Sequence, residues 1–312
     1  FLWAKGYKSE QIEEMYQCMF SVTPLSKVLL DVMFDNFREY MVLGGMPAIV
    51  RSFIQNKNFS GTLKLQKQIL LDYEEDITKY AKGLDKAKVL SVYRKIPAFL
   101  GKDNKKFQYK LVQKGGTSSI FGESINWLVN AGIVNKCIKS KIGVPLKMYE
   151  ELDSFKLYMN DVGLLTNLSE FPLYLIKNRD AVNETMMGML TENYVASSLK
   201  YNDINLNYWK NDFDSELDFI LQSEKGLIIP LEVKTSTHVK ARSLNNYIKE
   251  YSPKYSIRVS LKNFGFKDGI KSVPLYAVFC ITKENLDNIY LAFMMRIMRM
   301  KEHFLTKTGL IY

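Results

Sequence analysis

Three acids and a lysine are spaced so that they could act together. They are Glu192, Asp218 and the outer residues of the triplet Glu232-Val233-Lys234. The triplet sits in GLIIPLEVKTSTH, Gly226 to His238, whose apolar residues suit a buried strand. Side chains alternate along a strand, so Glu232 and Lys234 share a face, roughly 7 Å apart. A hairpin through Gln222 to Gly226 would set Asp218 against Glu232. Two facing carboxylates repel each other unless a cation lies between them. Mg²⁺ or Mn²⁺ would fit, because a hard cation takes carboxylate oxygens and keeps several waters. The chemistry open to such a set is metal-dependent phosphodiester hydrolysis. The plainer reading is a solvated strand end.

In helical projection Met189, Val195, Ala196 and Leu199 surround Glu192, and Met186, Met187, Leu190 and Tyr194 take the opposite side. A helix apolar nearly all round is buried, and a carboxylate inside it needs a metal or a Lys or Arg partner. The acid-x-lysine pattern alone says little. Asp103-Asn104-Lys105 repeats it in a polar loop. Pro230 also removes a ladder donor from the strand that carries Glu232.

The elements that must position these residues are legible in outline. Leu30, Phe34, Phe37 and Met41 recur at helical spacing before Gly44-Gly45 and Pro47, and a second helix covers Leu63 to Tyr80. Its acids Asp72, Glu74, Glu75 and Asp76 make a solvated face or an intramolecular contact. A third stripe, Val89, Tyr93 and Ile96, stops near Pro97 and Gly101. Thr117, Ser118 or Ser119 caps a helix to about Asn130. Strands over Ile133–Ile138 and Phe155–Met159 follow, joined by a basic loop with Gly143-Val144-Pro145. Helices followed by such a hairpin predict a winged helix-turn-helix. Beyond Pro172 come a helix over Asn183–Lys200, strands over Leu206–Trp209, Leu217–Leu221 and Leu227–Lys234, a helix over Leu244–Tyr251, and strands over Arg258–Leu261 and Leu275–Ile281. In Leu217–Leu221, Leu217, Phe219 and Leu221 should point one way.

The fold class read from this order is α+β and multidomain: a helical region over residues 1–82, a winged helix over 83–170, an α/β sandwich with a mixed sheet over 171–281, and a helical tail over 282–312. The tail carries Met294, Met295, Met298 and Met300.

Charge narrows the partners. The chain of 312 residues has a net charge of +10, and between Lys86 and Lys147 thirteen Lys and Arg face two acids, Asp103 and Glu123. That one module carries the basic excess, which points to phosphate and makes DNA the expected partner. Lys102, Lys105, Lys106, Lys110, Lys114, Lys136, Lys139 and Lys141 are the candidate contacts. Cys18, Cys137 and Cys280 are scattered with no C-x-x-C, which fits a reducing cytoplasm. His238 and His303 are the only histidines, too few for a histidine-rich metal site. The apolar run Ile289–Met295 is too short to span a bilayer, so no membrane role is expected. Phe1-Leu2-Trp3 reads like the inside of a helix, so the chain is expected to be part of something longer.

The order Glu192, Asp218, Glu232-Val233-Lys234 resembles the PD-(D/E)xK nuclease core. That resemblance implies Asp218 and Glu232 as metal ligands, Lys234 as the catalytic cation, and Glu192 as an accessory ligand or hydrogen-bond partner. Longer words widen the likeness: Phe37-Arg38-Glu39-Tyr40 through Gly44-Gly45-Met46-Pro47, Trp127 to Gly132, Phe155-Lys156-Leu157-Tyr158 with Asp161-Val162-Gly163-Leu164-Leu165, Thr191-Glu192-Asn193, Glu216-Leu217-Asp218-Phe219 and Pro230 to Lys234. With these, residues 1 to about 281 resemble the C-terminal part of a bacterial and archaeal family of AAA+-like ATP-binding proteins. The family implies an upstream P-loop ATPase domain, then a winged helix, then a nuclease-like domain catalogued as of unknown function. No G-x-x-x-x-G-K-[ST] occurs here, so no ATP site is expected in this chain. A fold does not establish an activity. Beside the nuclease stand two other readings: a docking platform without catalysis, and a regulatory arm of the ATPase. A second copy of the chain is kept as a candidate partner.

Overall fold

The computed structural model describes residues 1–171, 184–213, 215–235 and 242–287. Ser236, Thr237 and His238 of the opening stretch, and the Met-rich tail with His303, lie outside the described residues.

The N-terminal half is helical: α1 (Ser9–Ser21), α2 (Lys27–Leu43), α3 (Pro47–Asn56), α4 (Phe59–Tyr80), α5 (Lys86–Leu100), α6 (Tyr109–Val112) and α7 (Ser118–Asn130). The expected stripe of α2 is buried at Phe34, Phe37 and Met41, with Leu30 packed at its edge. Gly44 stops the helix at φ +72° and ψ −166°, a region essentially reserved for glycine. Asp85 opens α5 by accepting hydrogen bonds from the amides of Ala87 and Lys88. The helix runs through Pro97 and ends at Leu100, with Gly101 as its C-cap. The acidic face of α4 is partly an intramolecular contact, because Arg94 of α5 donates from Nε to Glu74 at 2.7 Å.

A hairpin follows, β1 (Val134–Ser140) and β2 (Glu150–Met159), and then α8 (Val162–Leu168). The rest comprises α9 (Glu184–Tyr201), β3 (Asn207–Lys210), β4 (Glu216–Gln222), β5 (Ile228–Val233), α10 (Arg242–Tyr251), β6 (Ser256–Ser260), β7 (Gly265–Lys267) and β8 (Ile270–Pro274). The class is α+β, with a helical region followed by a sheet. Its strands form one mixed sheet of eight, ordered β2-β1-β3-β4-β5-β6-β8-β7. The hairpin expected as a wing is therefore one end of the same sheet. Strand β1 lies parallel to β3, with Ile138 opposite Asn207 and Lys139 opposite Tyr208. One apolar core runs from α1 through the helices to β6 and β8. A smaller one, Leu146, Trp209, Leu217, Ile220, Leu244 and Tyr247, lies under α10.

Two strand expectations change. Asn207 pairs with Ile220 but Trp209 pairs with Leu217, so a bulge interrupts β4. Leu217 then joins Ile220 and Trp209 under α10, while Phe219 and Leu221 face the large core. Leu275–Cys280 is not a strand but a 3₁₀ turn, buried at five of its six positions. A continuous apolar run suits any fully buried segment, so it does not identify a strand. The strand is instead β8, which the sequence hides behind the inward-facing Lys271.

A Cβ on Gly44 would overlap Oδ1 of Asp161, the N-cap of α8. Gly44→Ala combines that clash with a forbidden backbone region. We expect it to lower unfolding free energy by about 3 kcal/mol or more, read from urea denaturation. A variant of wild-type stability would show that the loop relaxes freely.

Candidate functional site

Strands β4 and β5 build the centre of the site. Phe219 stands opposite Leu231 at the end of the β4–β5 ladder, and Asp218 and Glu232 are the next residues along the two strands. Oδ2 of Asp218 accepts from the amide of Val233 at 2.8 Å, which ties the bulged part of β4 to β5. Pro230 precedes the ladder with β6, which begins at Leu231, so its missing N–H costs nothing on that side. Glu232 is 2% exposed, and Lys234 Nζ lies 2.9 Å from its Oε1. The triplet thus keeps both charges together, as alternation requires. Oε2 of Glu232 is buried with no hydrogen-bond partner among the described residues. An unpartnered buried carboxylate oxygen is costly, so this atom favours the approach of a donor or a cation.

Glu192 is placed differently from an open ligand. It is 3% exposed on α9 and forms ion pairs with Lys105 and Lys156, the latter at 3.1 Å. The hydroxyl of Tyr158 donates to its Oε1. Burial pushes the Glu192 carboxyl up, but Lys105, Lys156 and the Tyr158 hydroxyl outweigh it and hold the group at about 2. Lys156 is itself 1% exposed and also reaches Glu216 at 2.7 Å, and Glu216 takes Lys210 at 3.2 Å. A second carboxylate so near is penalised. Burial and the charge of Glu192 push Asp218 up to about 7, against the pull of Lys156, Lys105 and Lys234. The two acids share one field, and the lysines settle on Glu192.

These partners are not apparent from the sequence. Lys105 ends Asp103-Asn104-Lys105, the polar-loop repeat of the acid-x-lysine pattern, and Lys156 and Tyr158 sit two apart on β2. The signal present was alternation: both share the face of β2 turned toward α9. Arg258, level with Glu232 on β6, was also missed; its Nε is buried and unpartnered among the described residues.

The basic candidates divide. Lys102, Lys110, Lys114 and Lys141 are exposed. Lys105 holds Glu192, Lys106 donates to Ser154 at 2.8 Å, Lys139 pairs with Glu151 at 2.9 Å, and Lys136 lies 4.3 Å over the Phe155 ring. Helix α7, in the recognition position of a winged helix, contains no Lys or Arg.

Asp218 and Glu232 suit a hard cation that fills its remaining positions with water. Among the described residues no three His, Cys, Asp or Glu side chains form a group that could hold a metal. The same residues contain no helix long and apolar enough to cross a membrane.

Two segments of this α+β chain match family models. Residues 34–174 match a domain of unknown function (DUF8612), and residues 187–278 match a second domain of unknown function (DUF4143). The second is commonly found in ATPase-associated proteins. No curated protein and no solved structure matches the chain. The sheet crosses both matched segments: β1 and β2 lie in the first, and β3 to β8 in the second.

Lys156→Met removes a cation shared by two acids. We expect a loss of about 3–5 kcal/mol, with more than about 1 kcal/mol recovered on adding Glu192→Gln, measured as a double-mutant cycle in urea. A carboxyl lowered from 4.5 to about 2 stabilises the fold above pH 4.5 and loses that contribution as pH falls toward 2. Glu192→Gln should therefore destabilise the protein at neutral pH and progressively less over that window. A constant penalty across it would mean that the charge of Glu192 is not what stabilises the fold.

Proposed function

We propose that this chain binds DNA and hydrolyses phosphodiester bonds at Asp218, Glu232 and Lys234. The observation that carries the reading is the buried Oε2 of Glu232, without a hydrogen-bond partner among the described residues, beside Lys234 and one residue past the Phe219–Leu231 pair that Asp218 adjoins. Asp218 and Glu232 would hold a Mg²⁺ or Mn²⁺ ion, which supplies an activated water and neutralises phosphate charge when bound. Lys234, fixed by Oε1 of Glu232, would hold a phosphate oxygen and stabilise the charge that develops on it. Arg258 is a second cation level with Glu232. Glu192 acts as a positioning residue: paired with two lysines, it fixes α9 over the sheet and keeps Asp218 in a negative field. The exposed Lys102, Lys110, Lys114 and Lys141 would follow the DNA backbone in a winged-helix-like mode, with the PD-(D/E)xK-like strands at the cut. The upstream ATPase, a cytoplasmic location and a role coupled to ATP turnover belong to this reading as expectations from the family resemblance.

A second reading has its own support. The neutralised Glu192 and an α7 without basic residues suit a docking module that never cuts.

Single-stranded, duplex and branched DNA incubated with Mg²⁺ or Mn²⁺ separate the two. We expect cleavage that disappears in Asp218→Ala and in Glu232→Ala and falls roughly a hundredfold in Lys234→Met. Uncut DNA that still binds with a steep salt slope would leave the docking module standing. Independently of activity, Mn²⁺ should raise the melting temperature of the wild type and leave Glu232→Ala unchanged. An equal rise in both would remove the cation from this pair of acids.

A further inference from the structure

Away from these strands, α2, α9, the turn Leu275–Cys280 and the start of the chain surround a cavity of about 540 Å³. That lies within the roughly 300–1,000 Å³ of small-molecule sites. Its wall is aromatic. Tyr194 meets Phe37 edge-on at 5.0 Å and Tyr40 at 5.6 Å, and all three line the space.

Its polar groups are selective. Asn160 and Tyr276 line the cavity, and the Oδ1 of the one and the hydroxyl of the other are buried without a hydrogen-bond partner among the described residues. Tyr276 is 4% exposed. The Nδ2 of Asn160 donates to the Tyr73 hydroxyl at 3.2 Å, and its Oδ1 takes no hydrogen bond among the described residues. Asp161 is the sole acid on the wall among the described residues, and none of those lining it is Lys, Arg or His. The backbone holds its carboxylate in place: Gly45 N donates to Oδ2 at 2.7 Å and Leu164 N to Oδ1 at 2.9 Å. Burial pushes this carboxyl above its usual range, against the pull of the Gly45, Leu164 and Gly163 amides.

An anion would find no basic side chain among the described residues that line the cavity. A purely apolar ligand would leave Asn160 Oδ1 unpartnered. A cation carrying N–H donors satisfies each feature at once: it gives Asp161 a counter-charge, Asn160 and Tyr276 a donor, and the rings a cation–π partner. We propose that this cavity binds an organic cation, a guanidinium or primary ammonium group, with Asn160 Oδ1 and Tyr276 as its acceptors and Asp161 as its counter-charge. This site is separate from Asp218 and Glu232 and does not depend on the nuclease reading.

Agmatine titrated into the full chain by calorimetry is the test. Saturable binding is expected, with inorganic phosphate and 1-butanol showing none. Tyr276→Phe is the informative variant. Its hydroxyl has no hydrogen-bond partner among the described residues, so unfolding stability should hold or rise while agmatine affinity falls about tenfold. Asp161→Asn should abolish binding; because Asp161 also caps α8, Tyr276→Phe decides if that variant does not fold. A blocked arginine amide that binds more tightly than agmatine would assign the site to an arginine side chain of another polypeptide. The reverse order would assign it to a free amine. No saturable binding of either, or a Tyr276→Phe variant that binds agmatine as well as the wild type, overturns the proposal.

Discussion

The fold turns on a carboxylate that cannot reach water. Glu192 lies inside α9 among apolar side chains, where an isolated charge would cost several kcal/mol, on the order of 5 or more. Lys156 from β2, Lys105 from the loop before α6 and the Tyr158 hydroxyl compensate it. These partners come from a loop and a strand far apart in the chain, so meeting both sets the height and rotation of α9 over the sheet. Lys156 then hands the constraint on to Glu216 on β4, and Glu216 to Lys210 on β3. Such a network favours one arrangement over near alternatives, because any slip strands a buried charge. The cations Lys105 and Lys156 lie in the first matched segment, the acids Glu192 and Glu216 in the second. The ion pairs of the buried Glu192 and Lys156 therefore join one segment to the other.

The same network sorts the three acids. Burial and the charge of Glu192 raise the cost of ionising Asp218, while Lys156, Lys105 and Lys234 pull the other way. Glu232 keeps one oxygen on Lys234 and one without a hydrogen-bond partner among the described residues. What resembles a trio along the sequence is, in space, a pair of acids beside a neutralised third.

The legible parts of this chain were those fixed by neighbours. Periodicity found α2, α4, α7 and α9 within a few residues, because Phe34, Phe37 and Met41 must share a side whatever they pack against. Alternation and the short loop after β4 brought Asp218 and Glu232 to the same end of the β4–β5 ladder. What stayed hidden depended on distant partners. The pairing of Ile138 with Asn207 joins residues 69 apart, and nothing local marks it. The β4 bulge contains no glycine to signal it. Lysine surplus was read as phosphate affinity, yet Lys105 and Lys139 spend their charge inside the protein. A residue count cannot separate a lysine facing solvent from one that neutralises a buried acid.

The contact between β1 and β3 has a mechanical meaning. Two residue pairs hold the hairpin to the other six strands, helped by Asn207, whose Nδ2 donates to Ile138 O at 3.4 Å and to Glu150 at 2.9 Å. The hairpin's own pairing runs over seven positions. Under load, or in the slow breathing that admits deuterium, the sheet should part along that short seam before either side unravels. It is then two leaves fastened at one edge, and the Lys156 ion pairs are the rivets that cross the gap.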